Sequence, residues 1–160
     1  MKILEAVQKR EVGAKRVRRE GWGESGQEPF FSIVAIDKEL SEKIEDASID
    51  PDRPFKTEKV DGFRTRKVAN VNPESRMENL TYFCIDSWDG FLWEHMQSIA
   101  SLDYRVSLAG VDPKSAVEFT DENRRAVAMI ASTQFRSWVL SIASDVAAYH
   151  AEMDKELEKN

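Results

Sequence analysis

Apolar and polar positions predict a chain that begins with strands and ends with helices. Residues 30–36 form an aromatic and β-branched run, which is typical of a strand. Asp37 then stands at an N-cap position, and an apolar pair spaced four residues apart predicts a helix over residues 38–46. A second compact apolar run, residues 80–85, predicts another strand with both faces buried.

Weaker signals lie between and after these runs. Residues 60–71 predict either a pair of strands or one irregular strand, with an Asp-Gly turn. Apolar residues at helical spacing predict a helix over residues 91–103. Thr120 is followed by two carboxylates, a typical helix start, so residues 121–158 predict one long helix or two with a bend.

This order of elements predicts an α+β fold. We expect a small sheet from the first half of the chain, packed by C-terminal helices of which the last is long. The length of 160 residues is typical of one domain. We assign that domain to residues 30–160, and residues 1–29 to a basic N-terminal segment with a glycine-rich loop.

An apolar stripe runs along the last predicted helix. Its positions follow the 4, 3, 4, 3, 4 spacing of a coiled-coil seam, and one tryptophan lies beside it. Such a stripe either covers the domain's own core or binds a partner helix, and the sequence leaves both open. With Trp88, the predicted partner-facing or fold-critical residues are Phe135, Trp138, Val139, Ile142, Val146, Tyr149 and Met153.

Charge is unevenly distributed along the chain. The net charge is -6, but residues 1–20 carry +4 and the remaining residues carry -10. The acidic remainder opposes general binding to nucleic acid, because phosphates repel it. The basic segment predicts either a solvated terminus or an anion-binding site at Arg16, Arg18 and Arg19.

The residue patterns of common active sites are missing from the sequence. Cys84 is the single cysteine, so the chain forms no internal disulfide, and the apolar run around it predicts an inert thiol. His95 and His150 lack metal-ligand spacing. We therefore predict no enzyme activity, no metal and no cofactor. We also expect no membrane span and no secretory signal, because the apolar runs are too short.

Three short segments carry a family resemblance. Residues 85–91, Ile-Asp-Ser-Trp-Asp-Gly-Phe, end in a Trp-acidic-Gly turn, and residues 117–123, Val-Glu-Phe-Thr-Asp-Glu-Asn, form a helix start. Residues 31–40 look like an opening strand followed by a helix. Over residues 30–160 the chain resembles tail assembly chaperones of long-tailed bacteriophages. It departs from them where about 28 residues separate the Trp-acidic-Gly turn, ending at Gly90, from Phe119 and Thr120, because that family has only a brief turn there.

The resemblance implies a non-enzymatic protein of the host cytoplasm that binds the helical tape-measure protein and tail-tube subunits. The C-terminal seam suits helix-in-groove binding to such a partner. One alternative is a virion structural protein of the connector or tail, in which copies of the chain form a ring. Another is a phage accessory protein that binds nucleic acid or a host factor through its basic N-terminus.

Overall fold

The computed structural model describes residues 16–158, which form a mixed α+β fold and confirm the predicted fold class. The first fifteen residues, most of the basic segment, lie outside the described residues. The strands are β1 Val17–Gly21, β2 Phe30–Val34, β3 Phe55–Asp61, β4 Arg64–Ala69 and β5 Ile85–Asp89. The helices are α1 Lys38–Ala47, α2 Pro73–Cys84, α3 Met96–Ile99, α4 Asp121–Ile130, α5 Thr133–Ser144 and α6 Val146–Glu158, with a 3-10 turn at Trp93–His95.

The larger sheet has three antiparallel strands in the order β1-β2-β5. Strand β2 confirms the strand predicted over residues 30–36, and its Phe31 and Ile33 are fully buried. Strand β1 pairs with β2 along its whole length, and Trp22 N donates to Pro29 O at 2.9 Å across the loop between them. The boundary expected between residues 29 and 30 therefore falls inside a β-hairpin.

Local signals place α1 and the smaller sheet. The Asp37 carboxylate accepts a hydrogen bond from Leu40 N at 2.7 Å, which confirms the predicted N-cap. Strands β3 and β4 form the predicted antiparallel pair, and the pairing begins at Phe55, earlier than expected. Gly62 has φ +50° in the turn, a conformation that glycine adopts without steric cost.

One hydrophobic core lies between the three-stranded sheet and helices α2, α4 and α5. Phe31 of β2 packs edge-on against Phe135 of α5, with ring centroids 5.2 Å apart. Helix α6 joins this core through Tyr149, whose buried hydroxyl donates to Ile33 O at 2.5 Å. The C-terminal helices are therefore fastened directly to the central strand.

The strand predicted over residues 80–85 is wrong, because this run is the end of helix α2. Asn72 caps the helix by accepting hydrogen bonds from Glu74 N and Ser75 N at 3.0 and 3.1 Å, and a proline occupies the first turn. The apolar residues are continuous because α2 buries them against α4 and α5. Strand pairing begins only at Ile85.

The helix predicted over residues 91–103 is confirmed only over residues 93–99, which form the 3-10 turn and α3. Ala100 instead forms a β-bridge with Ala131. The same bridge interrupts the predicted long C-terminal helix, and the Ser132 hydroxyl accepts from Phe135 N at 3.1 Å to start α5. A further break at Asp145, whose carboxylate accepts from Ala148 N at 3.1 Å, separates α5 from α6. Residues 121–158 are therefore three helices.

Candidate functional site

The two motifs that are far apart in sequence meet in the structure. Trp88 Nε1 donates to Val117 O at 2.7 Å, and Val117 N donates to Phe91 O at 2.8 Å. A β-bridge between Leu92 and Ala116 extends this contact by one residue on each side. The segment between the motifs therefore begins and ends at this bridge, and between its ends Met96 and Ile99 enter the hydrophobic core.

An aromatic cluster marks this junction. The Trp88 ring lies edge-on to Phe119, Phe91 and Phe31, at centroid distances of 4.7, 5.2 and 6.2 Å. Phe91 and Phe31 are buried, whereas Phe119 is 38% exposed. Gly90 has φ +65°, which lets the chain turn sharply between the tryptophan and Phe91. At the junction, Phe119 and the half-buried Trp88 are therefore accessible to solvent, and the buried rings of Phe31 and Phe91 support Trp88 from below. We call Trp88 and Phe119 the aromatic pair.

The helix start beside the aromatic pair is held in place by several contacts. Thr120 caps α4 by accepting from Asn123 N at 3.1 Å, as predicted. The Tyr82 hydroxyl of α2 donates to Asp121, and the guanidinium groups of Arg124 and Arg125 lie 4.4 and 3.7 Å from the Tyr82 ring centroid. The hydrogen bond to Asp121, followed by burial, raises the pKa of Tyr82. These contacts hold α4 against α2.

The C-terminal seam is not one exposed stripe. Four of its members, Phe135, Val139, Ile142 and Tyr149, are buried in the chain's own core. Trp138 and Met153 are half-buried, and Val146 is 54% exposed at the start of α6. The fold covers these four buried residues, so they offer no surface to a partner. Their burial agrees with the alternative in which the stripe covers the domain's own core.

Two of the three predicted anion-binding arginines face carboxylates of their own chain. Arg18 Nε lies 2.6 Å from Glu20, and its Nη1 lies 3.7 Å from Asp145. Arg19 pairs with Asp89 at 3.0 Å and lies over the Phe30 ring at 3.8 Å. Arg16 is half-buried, and its carbonyl accepts from Ala35 N at 2.8 Å. The charges of Arg18 and Arg19 are thus partly neutralised by internal contacts.

Cys84 and His95, two residue types that often act in catalysis, are held by burial and by a backbone hydrogen bond. Cys84 is fully buried, and burial raises the pKa of its thiol to about 12, so the reactive thiolate is strongly disfavoured. His95 Nδ1 accepts from Leu92 N at 3.0 Å, which places it in a backbone cap. Across residues 16–158 no cluster of three or more His, Cys, Asp or Glu side chains is arranged to hold a metal ion. Within the same residues no helix is long and apolar enough to cross a bilayer.

Two surfaces were missed by the sequence reasoning. Phe119 was part of a recognised motif, yet its exposure beside Trp88 depends on the return of the chain at Ala116 and has no local signal. The β3–β4 hairpin is basic and exposed almost throughout. Its signal was available, because five cations stand against two carboxylates over residues 55–69.

The chain was compared with known proteins at three levels: family, sequence and structure. No protein-family description, no curated protein and no solved structure matches the chain.

Proposed function

We propose that the chain is a tail assembly chaperone of a long-tailed bacteriophage. In this role it binds the helical tape-measure protein and tail-tube subunits in the host cytoplasm and catalyses no reaction. The observation that supports the proposal is the contact between the two motif segments, in which Trp88 Nε1 donates to Val117 O. In the chaperone family only a brief turn separates the two motifs, so they must be neighbours. The long segment between them is where this sequence departs from that family.

The partner surface in this proposal is the aromatic pair rather than the buried seam. A tape-measure helix with apolar stripes needs cover from water, and an exposed aromatic edge provides it. Phe119 is 38% exposed, and Trp88 beneath it is oriented by its indole hydrogen bond. A rigid aromatic anchor loses little conformational entropy on binding.

Co-expression with the tape-measure protein from the same genome tests this function. The wild-type chain should keep the tape-measure protein in the soluble fraction and co-elute with it. Phe119→Asp should reduce the co-eluting amount at least tenfold, because a carboxylate replaces the apolar contact.

Leu102→Asp is the matched control, since Leu102 is a fully exposed apolar residue on the segment between the motifs. It should bind like the wild type, and both variants should keep the wild-type circular dichroism spectrum. A tape-measure protein that stays insoluble or unbound with the wild-type chain would overturn the proposal.

A further inference from the structure

The β3–β4 hairpin is a basic arm on an acidic protein. Residues 55–69 contain five cations and two carboxylates, for a net charge of +3, whereas the rest of the chain has 18 cations and 27 carboxylates, for -9. Every residue of the hairpin except the half-buried Val68 is exposed. Phe55 and Val60 are 57% and 56% exposed, and Phe63 at the tip is fully exposed. Both its charge and its apolar side chains are therefore available to a partner.

One face of the hairpin carries no carboxylate. The cross-strand pairs on this face are Phe55 with Ala69, Thr57 with Lys67, and Lys59 with Thr65. The hairpin's ion pair, Arg66 with Glu58 at 3.3 Å, lies on the opposite face. Among the described residues, no carboxylate lies within ion-pair distance of Lys59 or Lys67. On this face Lys67 Nζ lies over the Phe55 ring, 4.2 Å from its centroid, and both residues stay exposed. The face can therefore pair with an acidic surface.

Helix α6 presents a surface of the opposite character. Its sequence has four carboxylates and one lysine, for a net charge of -3. Tyr149 turns one side of the helix into the core, and the exposed stripe on another side consists of Val146, His150, Asp154, Leu157 and Glu158. Within the described part of the chain, neither Asp154 nor Glu158 lies in an ion pair.

We propose that the basic face of the hairpin binds the acidic stripe of α6 on a second copy of the chain. Charge complementarity supports this occupant, and so does the presence of exposed apolar residues on both surfaces. The lengths also agree, because the seven residues of β3 span roughly 23 Å and the thirteen residues of α6 roughly 20 Å. Within one chain the hairpin remains exposed, so its own α6 does not cover it.

Such a contact joins two different surfaces of identical chains. Each copy then has one free hairpin and one free α6, so association continues into a ring or an open filament. The inference does not depend on the tail assembly function, because it rests on charges and exposure alone.

Trans-complementation in sedimentation velocity tests the proposal. Lys59→Glu/Lys67→Glu reverses the hairpin face, and Asp154→Lys/Glu158→Lys reverses the stripe. Each variant alone should be monomeric at 50 mM NaCl, where the wild-type chain associates. An equimolar mixture should associate again, because the unchanged stripe of the first variant fits the unchanged hairpin of the second, and the two reversed surfaces also carry opposite charges.

Lys38→Glu/Arg105→Glu is the matched control, with two exposed cations reversed outside the hairpin. It should associate like the wild type. Raising NaCl from 50 to 500 mM should weaken wild-type association at least tenfold, because salt screens exposed charges. A wild-type chain that is monomeric at 50 mM NaCl and 100 μM protein would overturn the proposal, as would two variants that fail to associate when mixed.

Nucleic acid is the other anionic partner that could bind the basic face of the hairpin. A labelled DNA duplex added to the same samples tests for it. We expect no binding, because the rest of the chain repels phosphates. Duplex binding by a monomeric wild-type chain, lost in Lys59→Glu/Lys67→Glu, would assign the hairpin to nucleic acid and refute the contact between copies.

Discussion

The variants Ile142→Asp and Val146→Asp test whether the C-terminal seam forms the core or binds a partner. The two residues are four apart on the same predicted stripe, but Ile142 of α5 is 9% exposed and Val146 of α6 is 54% exposed. The same substitution should therefore be severely destabilising at position 142 and nearly neutral at position 146.

The expected magnitude follows from burial. Truncating a buried isoleucine costs about 2–5 kcal/mol, and burying a polar group without a partner adds about 1–3 kcal/mol. We therefore expect Ile142→Asp to lower the free energy of unfolding by about 4 kcal/mol or more, a large part of the roughly 5–15 kcal/mol of a typical domain. Val146→Asp should change it by less than about 0.5 kcal/mol, as exposed substitutions usually do.

Urea unfolding followed by circular dichroism and tryptophan fluorescence measures both values. Burial raises the pKa of the new carboxyl at position 142 above its value in the unfolded chain. The unfolded state then binds fewer protons than the folded state, so the loss of stability should grow as the pH rises from about 4 to 7. Equal stability of the two variants, within about 1 kcal/mol, would contradict the docking of α5 in the core.

Three further measurements test the junction and the core. Gly90→Ala should cost about 1–2 kcal/mol in thermal unfolding, because φ is +65° there, and an unchanged melting temperature would contradict that turn. Trp88→Phe should cost about 1–3 kcal/mol, since the Val117 carbonyl loses its indole donor; a stability equal to wild type would remove the junction contact. Native Cys84 should resist a small maleimide at pH 8 and react in urea, because burial holds the thiol pKa near 12. Stability should also fall as the pH rises above 9 toward 12, where only the unfolded thiol ionises readily, and fast labelling of the native protein would refute its burial.

Helix caps were the most reliable local signals. Asp37 and Thr120 each accept a backbone hydrogen bond three residues ahead, and both were predicted correctly. Asn72 caps α2 in the same way, but this cap was not predicted, and the apolar run at residues 80–85 predicts a strand in place of the helix. A continuous apolar run indicates that a segment is buried on several sides. It does not distinguish a buried helix from a buried strand.

The candidate site depended on long-range contacts. Trp88 was chosen from its motif, whereas Phe119 was not, because its position beside Trp88 follows from the return of the chain at Ala116. The seam residues were found by spacing, but spacing alone did not separate buried Ile142 from exposed Val146. The break at Asp145 between them rotates the second helix independently of the first.

The sequence by itself therefore determined a strand within residues 30–36, the caps at Asp37 and Thr120 and the mixed α+β class, and it offered the turn at Gly62 as one of two alternatives. These features depend on hydrogen bonds and steric preferences that act within a few residues. The tertiary structure decided the division of residues 121–158 into three helices and the junction of the two motifs. The break between α4 and α5 and the junction both depend on backbone bridges between distant segments, Ala100 with Ala131 and Leu92 with Ala116, whose partners no local pattern specifies. The break between α5 and α6 is instead local, at the Asp145 cap.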